Sequence, residues 1–436
     1  MKGLRNMTAM AFTAALLLGV APPESRAAES DLSELNRKVE ILTGEVEKLK
    51  LGEVADDKYE SFSGLGPAAS KVYGKRGGLS IGGYGEFFYT NYLDDTKKDL
   101  ADTLRFILYT GYKFTDNIVL NAEIEFEHAN EVFVEFLYID FLINEAFNVR
   151  PGLVLVPMGI VNEFHEPTTF HGVNRPEVER NIIPTTWRDL GVMVHGEVGG
   201  LSYKAAVLNG LRSDSFRKAD WIRNGRFKGT SANAESLAYV LSLEYGVTEG
   251  FSVGGSYYFG EAGAGAGGSV VSAADKNADI DFWEVHTIFR QKGLELRGLY
   301  AEGKLDGNSA FETAPPGTTA DPLTTAPVGK KAKGWYVEAA YDVMPHIKPM
   351  SESSLTPFIR YEDYDTHHEV FAGVTKDPTQ HRKITTIGVG YKPIHNVVIK
   401  ADYQIRDTAS GLPEGKGTGL DENKIDQFNL GVGFIF

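Results

Sequence analysis

The chain has no cysteine among its 436 residues. That absence excludes disulfides, c-type haem attachment and thiolate metal sites together. Beyond the first thirty or so residues, no apolar run approaches the roughly 20 residues that a membrane-spanning helix needs. Any crossing of a bilayer therefore falls to strands. Basic charge is also scarce: 44 Lys and Arg stand against 59 Asp and Glu, for a formal net charge of −15. A nucleic-acid partner is not expected of such a chain. No Ser/His/Asp-type constellation is evident, and the adjacent His367 and His368 read as solvated loop residues. Neither an enzyme nor a cofactor is predicted.

What the chain does have begins with an export signal. Lys2 and Arg5 precede an apolar run from Ala9 to Ala21, and Ser25-Arg26-Ala27 offers small residues at the positions a signal peptidase reads. Residues 1–27 are expected to be cleaved, which takes the mature chain to about −17 by removing three basic residues and one acid. Over residues 28–51, Leu32, Leu35, Val39, Leu42, Val46 and Leu49 are spaced three, four, three, four, three. They fill the a and d positions of about three heptads, a short α-helical coiled coil. A helix packed on its own barrel is the other reading. Residues 52–77, rich in Gly, Ser, Ala and charge, read as a linker.

From Gly78 the pattern changes to period two. At the far end, Phe428, Leu430, Val432, Phe434 and Phe436 alternate with Gln427, Asn429, Gly431, Gly433 and Ile435. One apolar face and one polar or small face is the pattern of a transmembrane β-barrel strand. A terminal aromatic strand of this kind is expected to engage the barrel-assembly machinery. Segments of this type recur, joined by connections that are alternately short and long. Short turns fall at 115–117, 199–200, 248–250, 291–293 and 395–396, and long connections at about 91–101, 159–188, 210–235, 261–278, 304–332, 365–381 and 408–424. Two connections break the alternation: 129–130 is short among the long, and 343–354 is long among the short. The count predicts an all-β fold, an antiparallel transmembrane barrel of about 16 strands over residues 78–436. With the amino terminus in the periplasm, the long loops fall outside the cell and both termini are periplasmic. Soluble sandwiches and propellers also have many strands, but nothing makes them sort loops by length.

Alternation assigns the faces. Arg105 and Lys113 point inward from one strand, Glu123, Glu125 and Glu127 from the next, and Lys400, Asp402 and Arg406 from a later one. Arg297, Arg360 and Glu362 join them as pore-lining residues. Inward acids (Glu86, Glu123, Glu125, Glu127, Glu135, Glu197, Glu244, Glu284, Glu295, Glu338, Glu362, Asp402) outnumber inward cations (Arg105, Lys113, Lys204, Arg290, Arg297, Arg360, Lys400, Arg406). A weak cation preference, or little selectivity, is predicted. Tyr89, Trp283, Phe289, Trp335, Tyr341 and Tyr391 suit girdles at the lipid interfaces.

The most distinctive segment is GIVNEFHEPTTFHGVNRPEVERNIIPTTWRDLGV, residues 159–192. Its Phe-His-Glu-Pro, its Glu-Arg pair and the Arg-Asp-Leu-Gly-Val that resumes the barrel resemble the phosphate-selective porin O and P family. The coiled coil, the strand count and the terminal Phe carry the same resemblance. It implies a homotrimer whose third loop, about 159–188, folds back to narrow the pore. Carried onto this chain, the constriction would be lined by Glu163, His165, Glu166, His171, Arg175, Glu177, Glu179, Arg180 and Arg188. A lid over the mouth is the alternative. Phosphate selectivity does not carry over, because acids compete with the cations. His165, His171 and Glu166 read as hydrogen-bonded or solvated loop residues, so no metal is expected.

The function predicted is that of an outer-membrane porin passing small hydrophilic solutes or ions by diffusion. Its partners would be outer-membrane lipids, the assembly machinery and the solutes themselves. Two alternatives stay open: a barrel sheath or scaffold for a partner such as an electron-transfer protein, and an outer-membrane barrel enzyme.

Overall fold

A computed structural model describes residues 37–40, 60–263, 278–307 and 328–436. Residues 37–40 are helical and exposed; the rest of the predicted signal peptide and coiled coil lies outside the described residues. Sixteen strands follow one another in chain order. They are β1 Gly78–Tyr92, β2 Leu100–Thr115, β3 Ile118–Glu127, β4 Glu131–Asn144, β5 Phe147–Leu155 and β6 Arg188–Val198. Next come β7 Leu201–Asn209, β8 Leu237–Thr248, β9 Phe251–Ala262, β10 Ala278–Gln291 and β11 Leu294–Gly307. The last five are β12 Lys331–Tyr341, β13 Ser354–Glu369, β14 His381–Ile394, β15 Val397–Thr408 and β16 Gln427–Ile435. Each pairs antiparallel with its sequence neighbours, and β1 pairs with β16 to close the barrel. Closure leaves no strand edge unpaired, the requirement for strands in lipid.

The predicted alternation holds through the wall. In β2, Arg105, Ile107 and Tyr109 are buried, while Phe106 and Tyr112 are exposed on the outer face. Leu190, Leu241, Val285, Val337, Ile359 and Ile399 belong to the same exposed apolar belt, as expected of a lipid-facing surface. Tyr89, Phe289, Tyr341 and Tyr391 stand near strand ends, whereas Trp283 and Trp335 lie nearer mid-strand. At the seam, the backbone N–H and carbonyl of Phe436 each bond Gly83, at 2.9 Å. A Cβ on Gly83 would stand 2.7 Å from the Phe436 ring, so only glycine admits that ring.

The interior is packed. Connection 156–187 contributes Ile182, Ile183 and Trp187, and connection 210–236 contributes Phe216, Trp221 and Ile222, against Tyr258, Phe282 and Leu305 of the wall. Trp187 sits 4.6 Å from the Tyr258 ring and Trp221 lies edge-on to Phe282 at 5.4 Å. Truncating either buried Trp would cost about 3–5 kcal/mol. The sequence places 210–235 among the outer connections; its apolar residues are buried because the lumen offers them a dry partner surface.

The linker expectation is also corrected. Residues 60–77 belong to the compact barrel unit. Leu65, Ala68, Ala69 and Val72 are buried, with a short helix at Lys71–Gly74. Phe62 stacks on Tyr73 at 3.9 Å, and Val72 packs where a Cβ on Gly111 would intrude. Phe62, Leu65, Ala69 and Val72 recur at three- and four-residue steps, an apolar stripe that small residues and charge obscure in the composition.

Candidate functional site

The loop expected at 159–188 is the 156–187 connection between β5 and β6, and it runs inside the barrel. Asn162 ties its neck. The Asn162 amide donates to the carbonyls of Val156 (2.6 Å) and Trp187 (3.0 Å) and accepts from the Trp187 N–H (2.6 Å). Prolines at 157, 167, 176 and 184 forbid a long helix here. Only Glu177–Asn181 forms a helical turn.

Charged residues of the wall hold the loop by its backbone. Lys400 donates to the Gly172 carbonyl at 2.9 Å, with its ammonium 3.6 Å from the Phe170 ring centroid. Asp402 accepts from the Val173 N–H (2.6 Å), and Glu362 from the Val178 N–H (3.0 Å). Arg297 reaches the Thr169 carbonyl (2.7 Å), and Arg360 bridges Glu338 (3.2 Å) and Glu362 (2.9 Å) below the loop. These residues were predicted to line the pore. They also grip the loop: a loop backbone that leaves its own ladder needs partners in the lumen, and the inward charges supply them, while Arg297 and Lys400 still border open space.

The predicted constriction residues separate into groups. Glu163 pairs with Lys204 at 2.5 Å, and Glu166 accepts from the N–H groups of Ala68 (3.2 Å) and Ala69 (3.0 Å), so the loop meets the amino-terminal plug. Burial pushes the Glu166 carboxyl up to about 7, against the pull of those two N–H groups. His171 faces Glu295 at 3.4 Å. Glu177 accepts from Arg406 at 2.7 Å and from the Tyr364 hydroxyl. Burial alone would raise Glu177, but Arg406 outweighs it and holds the carboxyl well below its usual range. Glu179 accepts from the Val161 N–H and the Tyr336 hydroxyl, both at 2.6 Å, and burial raises it to about 7. Arg188 opens β6 and lies 3.6 Å from Glu135. His165 turns away from the loop toward Glu123.

Two cavities flank the loop. The one at the long-loop end, about 560 Å³, is lined by Arg105, Glu127, Arg175, Glu177, Arg180 and Arg406 together with Lys97 and Arg223 from other connections. The one at the short-turn end, about 340 Å³, is lined by His171, Arg290, Glu295, Arg297 and Lys392. Phe170 borders both. Between the loop and the β1–β16 wall is a space of only about 10 Å³, bounded by Glu86, Pro167, Val173, Lys400, Gly431 and Gly433. Lys113 stays near the short-turn end, donating to the Tyr73 carbonyl at 3.4 Å.

By sequence, the chain is 36% identical over 371 residues to a protein of Aquifex aeolicus (strain VF5) described only as an uncharacterized protein, with 83% of each chain covered. The chain belongs to that family. No protein-family model matches it. Among solved structures it resembles the anion-selective porin from Comamonas acidovorans, with TM-score 0.52 and 12% identity over 83% of this chain and 100% of that one. The trimer form of Vibrio cholerae OmpT gives 0.52 and 13%, over 83% and 100%. Salmonella typhi OmpF in complex with daunomycin gives 0.52 and 15%, over 82% and 97%. The fold this family member shares with them is that of outer-membrane porins.

The family fold positions charge differently from the sequence tally. Of the inward acids, only Glu86, Glu127 and Glu295 line either large cavity. Glu123, Glu125, Glu135 and Glu284 are buried in the packed part of the lumen. Among the described residues no carboxylate lies within ion-pair reach of Arg175, Arg180 or Arg223 at the long-loop cavity. Arg223 donates instead to the carbonyls of Arg180 (2.8 Å) and Thr185. Burial, and then the nearby Arg226 and Arg180, pull the Arg223 guanidinium well below its usual range, with Asp220 opposing them in part. At the other cavity Glu295 is the one lining carboxylate among the described residues, against Arg290, Arg297 and Lys392. With Asp102, Glu177 and Glu422 also lining the long-loop cavity, acids and cations nearly balance there, so the acid excess of the tally does not extend to the open spaces. Loop contacts decide this, and strand alternation carries no signal of them. The packed lumen also leaves no room for a second polypeptide threaded through it, which speaks against a sheath.

Proposed function

We propose that the chain is an outer-membrane porin, and not an enzyme, whose path runs along the β1–β16 wall between the two cavities. Loop 156–187 is its constriction, with Arg175, Arg180 and Arg223 above and Arg290, Arg297 and Lys392 below. The observation that carries this reading is the trio Arg175, Arg180 and Arg223, which among the described residues has no carboxylate within ion-pair reach, together with Arg290, Arg297 and Lys392 against the single Glu295 at the other cavity. Such cations favour small anions. A gap of about 10 Å³ holds about one water molecule. A hydrated solute passes only when the segment Pro167–Val173 moves off Gly431 and Gly433, so a small conductance is expected.

The homotrimer is part of this proposal, in line with the trimer form of the Vibrio protein. So are lipid contact by the outer belt, assembly through β16, and periplasmic placement of both termini with the long loops outside. The likeness of residues 159–192 to the phosphate-selective porin O and P family supports the inserted loop and leaves the choice of anion open.

The test is the reversal potential of the purified full chain in a planar bilayer under a potassium chloride gradient. Preference for chloride is expected, reduced or reversed when Arg175, Arg180 and Arg223 are changed to Glu. A cation preference in the wild type overturns the reading. Deleting residues 163–186 should raise conductance severalfold, and an unchanged conductance would remove the loop from the path.

A further inference from the structure

A buried cluster lies behind the constriction loop, on the side away from the open spaces. His165 of the loop, Glu123 of β3 and Glu135 of β4 bring one imidazole nitrogen and two carboxylates together, with donor atoms all within 4.8 Å of one another. All three side chains are at most 2% exposed. The placement of Glu135 is a backbone effect. Glu123 pairs with Phe136 and Ile124 with Val134, so Glu135 is the extra residue of a β-bulge and turns inward beside Phe136. Bulges commonly re-aim a side chain in this way.

Hydrogen bonding in the cluster is incomplete. His165 Nδ1 is 2.8 Å from the Asn162 carbonyl, which can only accept, so Nδ1 carries a proton and Nε2 of the neutral ring is an acceptor. That Nε2 faces the Glu123 Oε1, another acceptor, at 3.5 Å. Glu123 Oε2 and both oxygens of Glu135 have no hydrogen-bond partner. Arg188 approaches Glu135 Oε1 at 3.6 Å, beyond hydrogen-bond length, and answers one of the two negative charges. Arg105 serves Glu86 at 3.0 Å and Glu125 at 3.8 Å. Buried carboxylates without partners are strongly unfavourable. Three acceptors converge here, with Arg188 and Arg105 as the neighbouring positive charges, and none of the three has a hydrogen-bond donor at bonding distance that completes it.

We propose that Glu123, Glu135 and His165 bind a first-row divalent cation such as Zn²⁺. Two ligands at about 2.1 Å from one tetrahedral ion stand about 3.4 Å apart, which matches the His165–Glu123 separation of 3.5 Å. A nitrogen with two carboxylate oxygens suits Zn²⁺ or Mn²⁺ better than Mg²⁺. The Nδ1–H bond to the Asn162 carbonyl is the outer contact that fixes the orientation of a metal-binding imidazole. The same Asn162 ties the loop neck, so an ion here staples the constriction loop to β3 and β4. A fourth position is left for water.

The sequence marks Glu123 and Glu135 as inward and His165 as a loop residue, but nothing local in it brings the three together. Glu123 and His165 are far apart in the chain, and Glu135 joins them only through the bulge.

The experiment uses the full chain folded into detergent after EDTA treatment. After incubation with Zn²⁺ and exhaustive dialysis, elemental analysis should find about one ion per chain, none with Mg²⁺, and a raised thermal midpoint. His165→Ala and Glu135→Gln should each weaken Zn²⁺ binding at least about tenfold, while heat-dependent gel mobility confirms a folded barrel. Wild type retaining under about a tenth of an ion per chain overturns the proposal whether or not the variants fold, and leaves a shared proton as the occupant. Unchanged retention in His165→Ala overturns it as well.

Discussion

Pro167 of the inserted loop rests on Gly433 of β16, where any Cβ would stand 2.5 Å from the Pro167 Cβ. Gly431 stands in the same relation to Val173, at 2.9 Å. The small inward residues of the closing strand are therefore the seat of the loop. Gly433→Val overfills the narrowest space, so conductance should fall, and crowding should destabilise the barrel by about 1–3 kcal/mol. Single-channel recording checks the first effect; an unchanged conductance would place the path elsewhere.

Asn162→Ala removes three hydrogen bonds from the loop neck. The Val156 and Trp187 carbonyls keep backbone donors, from Met158 and Val156, so the Trp187 N–H is the group left unpaired, at about 1–3 kcal/mol. Thermal unfolding in detergent should shift down clearly, and proteolysis within 156–187 should become faster. A thermal midpoint equal to that of the wild type would show that the neck is held by other contacts.

Glu179 gives the loop a pH dependence. Its carboxyl, ordinarily near 4.5, is raised to about 7 by burial. The folded state therefore keeps a proton that the unfolded chain gives up, and stability from this group is fully present below about pH 4.5 and lost as pH rises through 7. The full effect is roughly 3 kcal/mol. Glu179→Gln should flatten the slope of thermal stability between pH 4.5 and 7; an identical slope in wild type and variant would exclude Glu179 as its source.

The amino-terminal plug can be removed as a unit. Deleting residues 60–76 strips the N–H partners from Glu166, the Ala69 carbonyl from Asn121 (2.9 Å) and the Tyr73 hydroxyl from Asp140 (2.8 Å). Conductance should rise and the thermal midpoint should drop. If conductance stays at the wild-type level, the plug lies outside the conducting path.

Most of the wall was legible in the sequence. Period-two alternation marks Arg105, Glu123 and Lys400 as inward and Phe106 as outward, and alternating loop lengths give sixteen strands. Both signals are local: strand geometry sets the face of each side chain, and turn length sets the connection. The long connection was legible through its length, while its choice between lumen and mouth was left open.

What fills the barrel was not legible. The register of the closed wall sets Gly433 under Pro167, a bulge turns Glu135 toward His165, and the hollow behind the loop takes Trp187 and Trp221. Each pairing joins residues far apart in the chain, so no local period reports it. The sequence by itself determined a closed, alternating wall with charge inside. Only the tertiary structure decided which of those charges grip the loop, which are buried, and which are left to face a solute.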